Sequence, residues 1–523
     1  MRTAKKKKPK KEPALPGMTF KRRILLIAAS ALLCTAAFPA LDLWPAAWFC
    51  LVPFFFAVAA SKLRTSFVLG VLFGCLHFFG LAWWVFSALY VYTGAGLTVS
   101  VLFMLVIGLL LGLYYGLFAA AATIIMRSRL PWYAKPASCA AAWVCVEYMR
   151  ANLFSGVPWE LLGYSQYSLG AVIQIADITG VYGLSFLLVF VNCCLYQACR
   201  DLPAAGKALR TLAPAGVLTF VVLLYGVVQL NRYPALDGKR PVGDGIGIIQ
   251  CSFLQDERWR EDTQAQQLER YLALTEAACL KGARLIVWPE AALQSYLQER
   301  IPAEIIRLLG RHDVMLLLGG PRYTGASRAY TFYNSVFALT GGGIVRFHDK
   351  IHLLPFGEYF PLNRIDLLRT AYAGPRQYSA GTCHTVLDTP AGRIGTPVCF
   401  EIAFPAIARG FVEQGAGMLV TVSNDAWFGR SSAHYQHFSM AVLRAVEFRR
   451  PVLRSANTGI SGHIDRAGRI LERIGPFQEG LLMTAAEAGT GSTFYCRYGD
   501  VFAGLCCIVF LCCMTAVLRR RFP

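Results

Sequence analysis

The stretch GTPVCFEIAFP at residues 395–405 places a cysteine at the end of an apolar run, two residues before a glutamate. Together with the preceding residues it reads GRIGTPVC at 392–399, which predicts a short buried β-strand. A side chain at the end of such a strand projects from a rigid sheet into a mouth built by loops. Cys399 is therefore the candidate nucleophile among the 17 cysteines of the chain.

Two further predicted strand ends carry charged residues. VWPEAAL at 287–293 places Glu290 just past an apolar strand, and FHDKIHLLPFGEYFP at 347–361 places Lys350 before a turn that contains Glu358. Lys350 is one of only three lysines among residues 231–499, which hold 26 arginines. Each residue alone is compatible with an ordinary surface or core position, but their combination with Cys399 indicates a catalytic site.

The segment 231–499 is predicted to be a separate α/β sandwich domain. Its apolar runs are short and rich in β-branched residues, and helical patterns at 262–281, 301–311 and 433–448 separate several of them. The predicted strands are 245–250, 284–290, 314–320, 392–399 and 417–425.

The rest of the chain is predicted to be a polytopic α-helical membrane domain. Hydrophobic residues make up 55% of the sequence and charged residues only 16%. Eight segments approach the length of about 20 apolar residues that a bilayer requires. The first resembles a signal peptide, but further spans follow at once, so we expect it to be retained. The predicted spans are 24–39, 43–60, 66–90, 97–126, 132–152, 180–200, 209–230 and 500–518.

The loop charges predict the topology. Alternate connections and both ends of the chain hold 21 Lys and Arg residues, whereas the loops at 39–43, 91–97 and 151–179 hold none. Basic residues stay on the cytoplasmic side, so both termini are expected inside and the sandwich domain outside. The KKKKPKK run is then a lipid-facing tail, and no nucleic-acid partner is expected. The predicted organisation is a basic tail at 1–23, a seven-span membrane domain at 24–230, a catalytic domain at 231–499, and a final span with a basic C-terminus at 500–523.

Cysteine and histidine patterns give no sign of a metal site. Five cysteines lie in 231–499, an odd number that leaves at least one free thiol or an intermolecular partner. His434 and His437 form an H-x-x-H pair, which alone is more often structural than a metal ligand.

The order Glu, Lys, Cys, with the motifs WPE, K…PFGE and C-[YF]-E, resembles the nitrilase superfamily. Seven spans before such a domain and one after it are similar to the apolipoprotein N-acyltransferases, which act in bacterial lipoprotein maturation. Phe400 stands where some members have Tyr, so any contact of that hydroxyl would be missing. Further similar stretches are GVPWELLGYSQY (156–167), QIADITGVYGLSFL (174–187), SNDAWFG (423–429) and RAVEFRRPVLRSANTGIS (444–461).

The resemblance implies a nitrilase-like αββα sandwich with a Glu290–Lys350–Cys399 triad, supported by Glu358 and Glu401. It implies that Cys399 forms a thioester with an acyl chain taken from the sn-1 position of a membrane phospholipid. The acyl chain then passes to the amine of a diacylglyceryl-cysteine of an apolipoprotein. No metal or nucleotide cofactor is implied. The expected location is the bacterial inner membrane, with the catalytic domain on the periplasmic side.

Several aromatic and charged residues are candidates for lipid contact. Trp259, Trp427 and the PFGEYFP turn that ends at Pro361 are expected to line or cover an acyl groove, although ordinary packing explains either tryptophan nearly as well. In the span region, Glu147, Arg150 and Trp159 suggest a lipid head-group or domain-docking role. A structural pair between Glu147 and Arg150 is an equal alternative.

Two other functions remain open from the sequence. A membrane-anchored amidase or nitrile hydrolase would use the same three residues with water as the acceptor. A transporter would place several ionisable residues and broken helices at mid-membrane, whereas these spans are nearly free of charge.

Overall fold

The computed structural model describes residues 18–92, 96–202, 204–234, 245–258, 263–325, 330–361 and 377–519. Helices dominate the first part of the chain, and strands mixed with helices follow. The helices are α1 Phe20–Ala36, α2 Val52–Ala59, α3 Leu63–Ser87, α4 Leu97–Arg127, α5 Ala134–Asn152, α6 Gly170–Ile173, α7 Ala176–Thr179, α8 Val181–Asp201, α9 Ala205–Arg232, α10 Gln255–Arg258, α11 Gln264–Leu280, α12 Ala303–His312, α13 Pro405–Glu413, α14 Ala433–Phe448, α15 Phe494–Tyr498 and α16 Val501–Arg519.

Twelve strands lie between Gly245 and Thr484 in the described part of the chain. They are β1 Gly245–Gln250, β2 Ala283–Val287, β3 Met315–Thr324, β4 Thr331–Thr340, β5 Gly343–Asp349, β6 Leu387–Thr389, β7 Gly392–Gly395, β8 Met418–Ser423, β9 Val452–Ala456, β10 Ser461–Ile464, β11 Ile470–Ile474 and β12 Gly480–Thr484.

The first part of the chain is confirmed as a helical region with several apolar helices. Among the described residues, four helical segments are long and apolar enough to span a bilayer: Leu63–Tyr92, Leu97–Arg127, Val181–Asp201 and Ala205–Arg232. The other four predicted spans coincide with shorter or more polar helices. The count of eight spans therefore stays a prediction.

The second predicted span, 43–60, is not one continuous helix. It forms a 3-10 turn at Trp44–Trp48 and then the eight-residue helix α2. Pro45 and Pro53 each stand in the first turn of one of these pieces. Proline lacks the N–H that a helix interior needs, so each proline begins a new helical piece.

The second part is a sandwich of two six-stranded sheets. The first sheet has the strand order β12-β1-β2-β3-β4-β5, and the second has β11-β10-β9-β8-β7-β6. The strand triplets β1-β2-β3 and β7-β8-β9 are parallel. The facing sheets enclose a core of aliphatic side chains such as Ile248, Leu317 and Val420. The prediction of an α/β sandwich is thus confirmed.

Each sheet is covered by helices on its outer face. Side chains of α11 and α12 pack on the first sheet, which completes one side of the sandwich. On the second sheet, α13 and α14 pack instead, and their apolar side chains belong to the same core cluster as the membrane helices. The four layers match the expected helix–sheet–sheet–helix order, and the fourth layer also contacts the membrane bundle.

Candidate active site

Cys399 occupies a strained turn just beyond the end of β7 in the second sheet. Val398 pairs with Val422 beyond the end of β7, and Cys399 then begins a 3-10 helix that runs to Ala403. Its φ angle is 52°, in the left-handed region. For a residue with a Cβ this conformation costs on the order of 1–3 kcal/mol, so the surrounding contacts must hold it. The turn leaves Cys399 half-buried.

Glu290 follows β2 by three residues and is only 7% exposed. Its Oε1 accepts a 2.7 Å hydrogen bond from the side-chain amide of Asn334. Its Oε2 accepts a 2.8 Å hydrogen bond from the backbone N–H of Asn424. Both oxygens are thereby fixed in direction while each retains a free lone-pair position.

Lys350 follows the last residue of β5 and is 2% exposed. Its Nζ lies 2.8 Å from Oε2 of Glu358 and 3.9 Å from Oε1 of Glu290. Burial disfavours the ammonium, but the charges of Glu358 and Glu290 outweigh burial and raise the pKa of Lys350. A permanently charged cation therefore lies beside the Glu290 carboxylate.

The two predicted supporting glutamates bind backbone amides around this centre. Oε2 of Glu358 accepts from the N–H of Leu354, and its Oε1 accepts from Asn334. Oε1 of the fully buried Glu401 accepts from the N–H groups of Ile351 and His352, and its Oε2 accepts from Val398. Glu401 thus ties the segment after Lys350 to the residue before Cys399.

Burial acts on the ionisation of both Glu401 and Cys399. It raises the pKa of Glu401 to about 7, against the charge of Lys350 and the three backbone donors. Burial also raises the pKa of the Cys399 thiol, the carboxylate of Glu290 adds to this effect, and Lys350 opposes it. A thiol in this setting is protonated at neutral pH, so it requires a neighbouring base before it can attack.

The structure brings Glu290, Lys350, Cys399, Glu358 and Glu401 into one cluster, as the strand-end positions predicted. It also adds residues to which the sequence analysis assigned no role. Asn334 bridges the carboxylates of Glu290 and Glu358, and the hydroxyl of Ser423 lies 3.3 Å from the Cys399 sulfur. Ser423 and Asn424 lie within the quoted SNDAWFG stretch. Asn334 lies inside β4, where no sequence signal marked it.

Trp159 and Arg150 lie where the membrane helices meet the sandwich. The Trp159 ring stacks on Phe400 at 6.2 Å between centroids, and its indole N–H donates to Gln436 of α14. Arg150 donates to the backbone carbonyls of Trp159 and Glu160. Arg150 therefore fixes the loop that carries Trp159, and this contact agrees with a domain-docking position.

The remaining lipid-contact candidates lie in three loops. Trp427 is half-buried and contacts the ring of Tyr92 at 6.2 Å. Pro361 is exposed, and Phe356 of the same turn contacts Phe103 of α4 at 5.1 Å between ring centroids. Trp259 lies outside the described residues.

Comparison with known proteins gives two family matches that divide the chain as the fold does. Residues 30–194 match the model described as apolipoprotein N-acyltransferase N-terminal domain, and residues 246–493 match the model described as carbon-nitrogen hydrolase. Among solved structures, Saccharomyces cerevisiae Nit3, a member of the nitrilase superfamily, is 19% identical, with 46% of this chain and 89% of that chain covered and a TM-score of 0.34.

Two relatives that match this chain over most of their length carry the same name. The apolipoprotein N-acyltransferase of Geobacter metallireducens is 37% identical over 93% of this chain and 93% of its own. That of Methylococcus capsulatus is 32% identical over 86% of this chain and 87% of its own. The sandwich, the apolar helices and these relatives agree, and the chain belongs to the apolipoprotein N-acyltransferase family of membrane acyltransferases.

Proposed function

We propose that this chain transfers an acyl chain from a membrane phospholipid to the N-terminal amine of a diacylglyceryl-cysteine on an apolipoprotein, with Glu290, Lys350 and Cys399 as the catalytic residues. The observation that carries the proposal is the convergence of these residues, which lie 60 and 49 positions apart in the sequence. The cation of Lys350 lies 3.9 Å from Glu290, and both charges act on the Cys399 thiol.

In the first step, Glu290 takes the proton of the Cys399 thiol, and the sulfur attacks the carbonyl carbon of a phospholipid ester. The C–S bond forms while the carbonyl oxygen becomes an oxyanion, which the ammonium of Lys350 stabilises. Collapse of this intermediate breaks the ester C–O bond. The proton held by Glu290 passes to the leaving oxygen, and a lysophospholipid departs.

In the second step, the neutral amine of the lipoprotein attacks the thioester carbonyl. Glu290 accepts a proton from the nitrogen as the C–N bond forms, and Lys350 again stabilises the oxyanion. Breakage of the C–S bond releases the sulfur, which regains a proton from Glu290. The enzyme returns to its starting state, and the amide product leaves.

The membrane setting supports a lipid donor. Removing an acyl chain from the bilayer into water costs about 0.8 kcal/mol for each methylene. Contacts such as Phe103–Phe356 and Tyr92–Trp427 join site loops to membrane helices, so a chain can enter along apolar side chains. We place the enzyme in the bacterial inner membrane, with the catalytic domain at 231–499 on the periplasmic side and the membrane domain at 24–230. Trp159, Trp427, Pro361 and Trp259 are the proposed lipid-contact positions.

The amidase alternative needs water as the acceptor of the acyl group. Full-length relatives are named acyltransferases, and this supports an amine acceptor instead. The buried carboxylates and the apolar loops are equally compatible with either acceptor, so the acceptor must be tested directly.

The test is mass spectrometry of the purified full-length protein after incubation with vesicles of a synthetic diacyl phosphatidylethanolamine and no lipoprotein. We expect one acyl thioester, mapped to Cys399 and released by neutral hydroxylamine. Addition of a diacylglyceryl peptide should discharge the adduct and give an N-acylated peptide.

Matched cysteine variants complete the test. Cys399→Ala should lose both the adduct and the transfer, whereas Cys251→Ala, Cys279→Ala and Cys383→Ala should retain them. A thioester on any of these three cysteines, or transfer by Cys399→Ala, contradicts the proposal. Discharge of the thioester by water at the same rate with and without the peptide would favour the amidase.

A further inference from the structure

The H-x-x-H pair on α14 lies beneath the nucleophile turn. His437 is completely buried, and its Nε2 lies 3.0 Å from the backbone oxygen of Cys399. A carbonyl oxygen can only accept a hydrogen bond, so Nε2 carries the proton and donates it. His434, one turn earlier, is equally buried, but its Nε2 bonds the carbonyl of Gly429 instead.

A buried charged pair fixes the His437 ring. Its Nδ1 lies 2.9 Å from the guanidinium of Arg454 and 3.1 Å from Oδ1 of Asp425. Arg454 also donates to Oδ2 of Asp425 at 2.7 Å. The shorter contact is to the guanidinium, which can only donate, so Nδ1 presents its lone pair to Arg454, and the contact to Asp425 is then not a hydrogen bond. The ring is the neutral tautomer with its proton on Nε2. Burial and the charge of Arg454 both lower the pKa of His437, in agreement with this assignment.

The carboxylate of Asp425 also orients the thiol of Cys399, through the hydroxyl of Ser423. The Ser423 hydroxyl contacts both Oδ1 of Asp425 and the sulfur of Cys399, but it has only one hydrogen. Burial opposes ionisation of Asp425, but the charge of Arg454 outweighs burial and lowers the pKa of Asp425, so Asp425 can only accept. Ser423 therefore donates to Asp425 and turns a lone pair toward the thiol. Asp425 thus lies at the centre of contacts to both ends of the nucleophile residue.

We propose that His437 is a positioning residue for the acyl transfer, because its hydrogen bond to the Cys399 carbonyl holds the nucleophile in its left-handed conformation, with Arg454, itself held by Asp425, fixing the donating tautomer. This inference rests on the proposed role of Cys399 as the acylated residue. The conformation with φ of 52° is strained, and a directed donor from a fully buried side chain stabilises it against relaxation. Within the H-x-x-H pair, only His437 contacts the nucleophile residue, whereas His434 contacts Gly429 and lies 3.8 Å from Asp425.

The test compares single-turnover acylation rates of purified full-length variants with phosphatidylethanolamine vesicles alone. His437→Leu should lower the acylation rate constant on the order of 100-fold with an unchanged KM for the phospholipid, because the sulfur is misplaced but the lipid still binds. His437→Gln should recover most of the rate, since its amide N–H has a comparable reach. His463→Leu is the matched control, because His463 is also buried but contacts Thr484 and not the nucleophile turn, and its rate should stay within about threefold of wild type.

The outcomes separate positioning from a merely structural role. Wild-type acylation by His437→Leu, equal losses in His437→Leu and His463→Leu, or failure of His437→Gln to recover the rate would each overturn the inference. If His437→Leu does not fold, His437→Gln is compared with His437→Asn, whose amide is too short to reach the carbonyl. We then expect Gln to be at least about tenfold faster, and equal rates would overturn the inference.

The wild-type reaction, run first, keeps the two proposals distinct. A wild-type adduct on a residue other than Cys399 contradicts the proposed function whatever the His437 variants do. A wild-type adduct on Cys399 with unaffected His437 variants leaves the proposed function intact and overturns only the role of His437.

Discussion

The ammonium of Lys350 stands 3.9 Å from the carboxylate of Glu290, within ion-pair distance but beyond that of a short hydrogen bond. The tight partner of Lys350 is Glu358 at 2.8 Å, and the short hydrogen bonds of Glu290 come from Asn334 and Asn424. Glu290 is therefore oriented by neutral donors, while the cation remains available to a charge that develops on the substrate.

Asn334 should matter for catalysis although it touches no substrate in the proposed mechanism. Asn334→Ala removes the bridge between Glu290 and Glu358, and we expect acylation to fall by about 10- to 100-fold. Asn334→Asp should be worse, because a third carboxylate would repel both neighbours. Single-turnover acylation measures both variants, and Asn152→Ala, on an exposed asparagine, is the control. Equal activity of Asn334→Asp and wild type would contradict this account.

Lys350 should be needed as a charge beside the oxyanion. Lys350→Ala should lose on the order of 100- to 1000-fold in kcat/KM, as for other oxyanion donors. Glu290→Gln should be nearly as damaging, because it keeps the shape but removes the base. Lys281→Ala, which removes an exposed lysine from the same domain, should be unchanged. The measurement is transfer to a diacylglyceryl peptide, and a loss below tenfold for Lys350→Ala would argue against its role.

Glu401 should affect both stability and activity. The side-chain amide in Glu401→Gln keeps only one acceptor oxygen. The carboxylate of Glu401 accepts hydrogen bonds from three N–H groups and uses both of its oxygens to do so. At least one buried N–H then faces an NH₂ group, which costs about 1–3 kcal/mol. A lower Tm together with slower acylation is expected, and Glu487→Gln, at a half-exposed position, is the control. An unchanged Tm would contradict the geometry.

Stability should decrease in acid partly because of His348. Burial lowers the pKa of His348 to about 4, whereas the unfolded chain has the ordinary value of 6.5. The unfolded state therefore binds more protons between these values. The contribution to stability is complete above pH 6.5 and is lost as the pH falls toward 4, with about 2 kcal/mol lost between pH 8 and pH 5.

The variant His348→Gln should reduce the fall in Tm between pH 8 and pH 5. Burial lowers the pKa of His463 to about 4 as well, so His463→Gln should act in the same way. The two residues lie on β5 and β10 of different sheets, so their effects should add in the double variant. A fall in Tm identical to that of wild type in the double variant would exclude these histidines as its source.

The topology can be tested with reporter fusions. Fusions after residues 240 and 490 should report the periplasmic side, because basic residues concentrate in the alternate loops. Fusions at either end of the chain should report the cytoplasm. A cytoplasmic signal at 240 or 490 would contradict the eight-span topology.

Much of the fold and of the candidate site could be predicted because local sequence carries the signal. A β-branched apolar run that ends in a chemically reactive residue marks a strand end, and Glu290 and Cys399 follow such runs, whereas Lys350 follows the more polar RFHD at the end of β5. Helices α11, α12 and α14 lie close to the patterns predicted for them. That the second predicted span is built from a 3-10 turn and a short helix could not be predicted from its mean apolarity, which does not depend on the positions of Pro45 and Pro53.

Other parts of the site could not be predicted because they depend on long-range pairing. Asn334 meets Glu290 only because β4 pairs with β3 and β5 in one sheet. The spacing of His434 and His437 is the same whether a histidine bonds Gly429 or Cys399, and only the packing of α14 against the nucleophile turn separates the two. The left-handed conformation of Cys399 has no signal in its own residue type.

Helix α14 is almost completely shielded from solvent, since 15 of its 16 residues are buried. Arg444 bonds Tyr164 of the membrane part, and Glu447 accepts from the backbone N–H of Val181. A fragment restricted to residues 231–499 would expose the apolar side chains of α14, and the Arg444–Glu447 ion pair would lose its contacts with Tyr164 and the Val181 N–H. The membrane region therefore contributes to the folded structure of the catalytic domain and does more than anchor it. Any attempt to engineer a soluble catalyst would have to redesign α14, and substitutions in this helix must suit two neighbours at once.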